Sequence, residues 1–195
     1  MPRLITSGKA RAWGVLNWPA RLISEAAGTA ASLGIPPPCA AQLPYSLVRR
    51  SPVEDHPVSG TLRRAGAGIV ASFCLEGGVL SGKYPHGQAP GRAAAGMLDE
   101  HRVAPALAAA RDLACLAERL ETSSAALALA FPLAGPAVAS VLFGATSPEQ
   151  LRANCAAASL LERIAPDDLA ELKRIGSAQA GDGAQRAGPT KGRRW

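Results

Sequence analysis

Four times along this chain a short apolar run gives way to a segment with helix start signals and helical periodicity. Strand–helix alternation of this kind implies parallel strands joined by helical crossovers, with ligands met at the C-terminal ends of the strands. The fourth pair is the sharpest. An apolar run over 138–143 reads as a buried strand, and VLFGATSPEQLRAN (141–154) carries it to a stop at Gly144. Ser147 suits an N-cap, Pro148 the first helical position, and Gln150 the third position of a capping box. A strand that feeds a helix N-terminus through a glycine leaves backbone N–H groups aimed outward, which favours an anion. Gln150 and Asn154 are four residues apart and share a helix face. The same pattern also suits a well-capped turn that holds no ligand.

The other pairs are plainer. A strand over 12–16 ends at Asn17-Trp18, and Pro19 opens a helix over 20–33 that Gly34 and Pro36-Pro37-Pro38 close. Residues 39–43 form the second strand. The crossover after it, HPVSGTLRRAGAG (56–68), holds Pro57, Gly60 and Gly66, so only a short helix over 58–65 with low local order is expected. Residues 69–72 are the third strand. The Gly/Pro-rich stretch 83–98 has the length of a functional lid or a disordered loop. A helix over 103–120 follows, with Leu113, Leu116, Ala117 and Leu120 as its apolar stripe. Thr122 or Ser123 caps a short helix over 124–131, and two last helices cover 148–158 and 166–175. No domain boundary and no repeat beyond the βα rhythm is visible.

The 195 residues suit one domain. Hydrophobic residues make up 48%, but many are Ala and only 4% are aromatic, so the largest contributors to a core are scarce. No apolar run approaches the ~20 residues of a membrane helix. The basic N-terminus MPRLITSGKAR has no apolar signal core. Neither membrane insertion nor secretion is therefore expected, and a cytoplasmic location is. Cys39, Cys74, Cys115 and Cys155 show no metal-binding spacing and read as buried free thiols. The net charge of +6 is partly local. The tail over 177–195 carries Arg186, Lys191, Arg193 and Arg194 against Asp182 alone, and is expected to be disordered and solvated. It lacks the aromatic interleaving of a nucleic-acid binder, so no nucleic-acid partner is expected.

Four segments in order carry a resemblance: SGKARAWGVLNW (7–18), AAQLPYSLVRRSPVE (40–54), GIVASFCLEGGVLSGKY (68–84) with Gly91-Arg92, and VLFGATSPEQLRAN. Together they resemble the second half of an aldo-keto reductase barrel, in the subgroup of potassium-channel β subunits and their bacterial relatives. The resemblance implies an α/β fold, a partial TIM barrel made of the last four βα units, over residues 1–176. A complete barrel of eight units typically takes ~250 residues.

The resemblance also implies roles. Asn17 and Gln42 match partners of the nicotinamide carboxamide, although Leu16 stands where the family usually has Ser. Leu75, Glu76 and Gly77 match a loop that wraps the pyrophosphate through backbone N–H groups, where the Glu76 carboxylate is out of place. Lys83 and Arg92 match cations that clasp the cofactor, and without the resemblance they read equally well as exposed loop charges. Thr146, Gln150 and Asn154 match the adenosine and 2′-phosphate contacts, with Ala153 where Glu is frequent, and Gly144 before them is a further cofactor-binding candidate. The implied cofactor is NADP(H). The family's stacking aromatic falls at Ser72 by register, one residue before Phe73, so either a bulge re-aims Phe73 or the stacking contact is missing.

The family's acid–base residues (a Tyr, with Lys, Asp and His) belong to its first half, and no segment here matches them. His56, His86 and His101 lie in polar or Pro/Gly-rich connections, and Tyr45 and Tyr84 belong to second-half motifs. Three readings follow: a carbonyl-reducing oxidoreductase by family, present as a C-terminal half; a nucleotide-binding or interaction remnant without catalysis; or a truncated product that does not fold stably. A half barrel would expose two strand edges and its inner layer, inviting self-association, a complementing first-half chain, or aggregation.

Overall fold

A computed structural model describes residues 1–83, 100–135 and 137–177. A short helix α1 (Pro2–Thr6) precedes strand β1 (Gly14–Leu16) and helix α2 (Ala20–Ser32). Strand β2 (Ala40–Pro44) leads through α3 (Ser51–Glu54) into α4 (His56–Ala65) and strand β3 (Gly68–Ser72). A 3₁₀ segment, Glu76–Ser81, follows β3. Then come α5 (Glu100–Arg119), α6 (Ser124–Leu133), β4 (Val138–Val141), α7 (Pro148–Arg163) and α8 (Pro166–Ile175).

The four strands form one parallel sheet in the order β1-β2-β3-β4. Gly14 pairs with Ala40, Ala40 with Gly68, and Leu16 with Gln42. The register between β3 and β4 shifts at Ile69/Val70, after which Val70 faces Ser140. Sequential parallel strands with helices on one side are the βα series of a TIM barrel, and four of them make an α/β sheet consistent with half of one. The alternation along the strands shows which side the helices cover. Val15, Ala41, Leu43, Ile69 and Ala71 are buried, whereas Gly14, Leu16 and Ser140 are exposed, and Ala40, Gln42 and Val70 are half-buried. The core thus sits between one sheet face and the helices, and the other face is open.

α6 anchors that core. From Ala126 to Pro132 every residue is buried, and the helix packs on α5, α7, α8 and β4. The Ser123 hydroxyl accepts the Ala126 N–H at its start, which settles which of the two candidate residues is the cap. Leu113, Leu116 and Ala117 of α5 are buried as their spacing predicts, with Leu120 half-buried. Gly34 closes α2 with φ +63, a conformation that favours glycine.

Some expectations shift. α4 is a full ten-residue helix despite Pro57 and Gly60, because Pro57 sits in the first turn, where it removes no helical bond, and Gly66 (φ +65) ends it. α7 runs to Arg163, past the expected end at 158, since 159–163 contain no breaker. The expected loop 83–98 falls outside the described residues except for Lys83, and the expected tail outside them except for Ser177.

The cysteines are the clearest correction. All four are free, but only Cys74 is buried, and Cys39, Cys115 and Cys155 are exposed. Their small size suited burial, yet Cys115 and Cys155 fall on the outward faces of α5 and α7. Burial pushes the Cys74 thiol up to about 12. Because the folded state keeps that proton while the unfolded thiol loses it, this contribution to stability is complete below about pH 9 and declines toward pH 12. A thiol-reagent titration at pH 8 of the native protein should therefore show three fast thiols and one slow one, with the fourth released by denaturant. Four fast thiols would contradict this packing.

Candidate functional site

Parallel strands present their C-terminal ends on one rim, and the loops leaving that rim carry the candidate residues. Asn17 directly follows β1. It adopts a left-handed conformation (φ 55) in which its N–H donates to the Gln42 carbonyl at 2.9 Å. This brings Asn17 and Gln42 together at the ends of neighbouring strands. Neither carboxamide side chain has a hydrogen-bond partner among the described residues. Leu16, 56% exposed, lies beside Gln42 on the open face.

The loop after β3 is held by a buried carboxylate. Glu76 is fully buried, accepts the Ser46 hydroxyl at 2.6 Å, and meets the Arg49 guanidinium through two bonds of 3.0 and 2.8 Å. The sequence placed that carboxylate against phosphate; the structure turns it inward, where two loops need its charge. Its backbone takes φ 44, and Gly77 and Gly78 follow with φ 65 and 98. The Glu76 and Gly78 N–H groups donate to the Phe73 and Leu75 carbonyls. The Leu75 and Gly77 N–H groups have no acceptor among the described residues.

The question of Phe73 or Ser72 resolves through backbone conformation. Ser72 keeps its register opposite Pro44 and is buried. The register shift in β3 lies earlier, opposite β4, so no bulge re-aims Phe73. Instead Phe73 leaves the strand with φ 56, and its ring, 46% exposed, lies under Arg49 at 5.4 Å. Arg49 was not singled out by sequence; an Arg before a helix carries no signal until its buried partner is known.

At β4, Gly144 and Thr146 are exposed and Ser147 caps α7, its hydroxyl accepting the Gln150 N–H at 3.3 Å. Gln150 reaches back one residue further than a capping box requires. Its Oε1 accepts both the N–H (2.9 Å) and the hydroxyl (3.1 Å) of Thr146. The Glu149 carboxyl is held below its usual value by its own backbone N–H and the Ser147 hydroxyl. Asn154 is 6% exposed, and its side chain has no hydrogen-bond partner among the described residues. Lys83 is exposed, Ala153 is exposed, and Arg92 lies outside the described residues.

Tyr45 points the other way. It is 2% exposed, packs against Phe131 with ring centroids 5.3 Å apart, and donates to the Glu54 carboxylate at 2.9 Å. Burial, and then Glu54, hold its phenol well above the usual value, so it is no ready proton donor. A cavity of about 640 Å³ adjoins it, lined by Leu62, Ile69 and Phe131 among others, on the helix side of the sheet and away from the strand ends. A smaller trough lies on the open face, between Leu16, Gln42 and Val70. Among the described residues no cluster of three His, Cys, Asp or Glu could hold a metal, and no helix is long and apolar enough to cross a membrane.

Parallel βα units with polar side chains gathered at the strand ends define an α/β barrel segment, and comparison with known proteins gives it a family. The aldo/keto reductase family model matches residues 1–177, and the chain belongs to that family. A Schizosaccharomyces pombe protein described as a voltage-gated potassium channel subunit beta is 29% identical over 180 residues. The match covers 89% of this chain and 52% of that protein. A protein of the same description from Oryza sativa subsp. japonica is also 29% identical over 180 residues, covering 88% of this chain and 54% of the relative. The chain spans about half the length of the relatives it matches.

Breaking the Glu76 anchor tests this geometry. Glu76→Ala would strand a partly buried guanidinium, and because Arg49 retains some exposure the cost falls near the lower end for buried pairs, about 3 kcal/mol. A urea-denaturation midpoint lowered accordingly is expected; an unchanged midpoint would show that the ion pair holds nothing.

Proposed function

We propose that the chain supplies the cofactor side of an NADP(H)-dependent oxidoreductase that reduces aldehydes or ketones to alcohols. The observation that carries this reading is Asn154. A carboxamide buried without a partner costs roughly 1–3 kcal/mol, and such a cost persists most readily where a ligand relieves it. Asn154 lies one turn below Gln150 and behind the N-terminus of α7. Asn17 and Gln42 support the same cofactor, as two further carboxamides at adjacent strand ends with no partner among the described residues.

In this reading Asn17 and Gln42 hydrogen-bond the nicotinamide carboxamide and fix which ring face is presented. The exposed Phe73 ring, steadied by Arg49, borders the ring from β3. The free N–H groups of Leu75 and Gly77 receive the pyrophosphate. Gly144 lets the chain pass close to the ligand, Thr146 and Gln150 meet the adenosine end at the positive terminus of α7, and Asn154 reads the adenine. Lys83 and Arg92 neutralise the ribose phosphate. When bound, the cofactor supplies the hydride that reduces the carbonyl carbon. The proton donor and most of the carbonyl pocket come from a complementing first half; a second copy could cover the open face but brings no matching acid. A cytoplasmic setting suits this chemistry.

A second reading keeps binding and drops turnover: a nucleotide-binding or interaction remnant. Leu16 and Ala153, which replace two family contacts, and Tyr45, turned to the helix side, favour it.

Fluorescence titration with NADPH, and NADH as control, should give saturable binding with NADPH preferred. Asn154→Ala should weaken NADPH binding about tenfold, the worth of one buried hydrogen bond, without lowering thermal stability. A destabilised variant with unchanged affinity would make Asn154 a packing residue and remove the main support for this reading.

A further inference from the structure

The cavity beside Tyr45 lies apart from every position discussed for a cofactor. It measures about 640 Å³, and none of the proposed cofactor residues lines it. Gly66 and Ala67, which precede β3, and Ala137, which precedes β4, form part of its wall, so it reaches toward the strand ends opposite the rim. Its volume falls within the ~300–1,000 Å³ usual for small-molecule sites.

Two chemistries meet in its lining. Val53, Leu62, Ile69 and Phe131 are all buried and supply an apolar wall. Water against such a wall finds few hydrogen-bond partners, and empty space leaves the wall atoms without neighbours to attract. Facing it are three cations, Arg50, Arg63 and Lys173, and one carboxylate, Glu54. Glu54 accepts the Tyr45 hydroxyl, and neither it nor any of the three cations forms an ion pair among the described residues. The lining therefore carries an excess of positive charge.

Arg50 is the most constrained of these cations. It is half-buried, its Nε donates to the Leu47 carbonyl at 3.0 Å, and its Nη2 donates to the Lys173 carbonyl at 2.5 Å. The guanidinium lies over the Phe131 ring, 4.5 Å from the centroid. Its Nη1 has no acceptor among the described residues. The same loop serves the rim and the cavity. Ser46 and Arg49 turn to Glu76, and Tyr45 and Arg50 beside them turn to the cavity, so the ion pair that shapes the rim also holds this wall in place.

We infer that this cavity binds a small carboxylate with an apolar body. The body packs on Val53, Leu62, Ile69 and Phe131, and Arg50 meets the carboxylate, with Arg63 and Lys173 adding positive field. A planar carboxylate matches the donors that the Arg50 fork keeps free. A neutral apolar molecule would leave those donors unmet, and a cation would meet like charges. No residue is common to this cavity and the proposed cofactor positions, so neither depends on the other.

Isothermal titration of the 195-residue chain with octanoate and 2-naphthoate, against 1-octanol and octylamine, tests this. Saturable one-to-one binding of at least one carboxylate is expected, about tenfold tighter than either control. The tighter of the two carboxylates tells an alkyl body from an aromatic one. Arg50→Gln should weaken carboxylate binding about tenfold and leave octanol binding unchanged, a split that general loosening of the fold would not produce. Should circular dichroism show that Arg50→Gln does not fold, Arg63→Gln, at an exposed residue whose side chain has no partner among the described residues, should give the same split more weakly. Ala134→Leu adds bulk at the half-buried cavity wall and should abolish binding without lowering Tm. Octanol or octylamine bound as tightly as the carboxylates, or cation variants that leave carboxylate affinity unchanged, would overturn the class of ligand. Absence of all binding, or full binding by Ala134→Leu, would overturn the site.

Discussion

The Glu76 carboxylate organises the rim on which the candidate residues sit. A buried charge in an apolar setting is costly, and it persists here because Ser46 and both ends of the Arg49 fork satisfy it. Those partners come from the loop after β2, whereas Glu76 comes from the loop after β3. The pair therefore fixes two exit loops relative to each other, which the strand ladder alone does not do beyond Pro44 and Ser72. With Glu76 drawn inward, the backbone on either side turns over, and the left-handed run from Glu76 to Gly78 follows. Arg49, held by Glu76, in turn lies over Phe73. One ion pair thereby sets the conformation of a backbone turn and the position of an aromatic ring.

A second constraint is topological. Parallel strands need crossovers, and these crossovers all lie on one side, so only one sheet face gains a hydrophobic cover. α6 shows how strongly that side is committed, being buried along most of its length. The other face keeps Leu16 largely exposed beside the Gln42 carboxamide. The site at the rim thus borders one packed face and one open face of the same sheet.

Much of this was legible in the sequence because it is local. Pro, Gly and Ser mark helix ends by backbone conformation and hydrogen bonding, so α8 falls on its expected residues and α2 and α6 begin where expected. The apolar stripe of α5 was equally readable, since period alone fixes it. What sequence did not reveal depends on side chains meeting across long separations. Glu76 read as a misfit because its neighbours in sequence are loop residues, whereas its partner Arg49 lies 27 residues away. Phe73 posed a choice between a bulge and a missing contact because alternation assumes extended backbone, and its left-handed φ breaks that assumption. The cysteines failed for a related reason: composition gives a residue type's average burial and not the helix face on which it lands.

The candidate site divides along the same line. Where its residues sit in regular elements, as Gln42 does on β2 and Asn154 on α7, the fold holds them independently of any ligand. Where they sit in loops, as Leu75 and Gly77 do, their position depends on the Glu76–Arg49 pair. In the proposed function, cofactor affinity drawn from both sets would respond to changes at Arg49, a residue outside every site position that sequence suggested. The carboxamides of Asn17, Gln42 and Asn154, without partners among the described residues, are dispersed over the end of β1, β2 and α7, too far apart in sequence to satisfy one another through local turns. Carboxamides both donate and accept, so a ligand carrying an amide and a purine complements all three without requiring charge. That complementarity, more than the net positive charge of the chain, is what supports the proposed nucleotide.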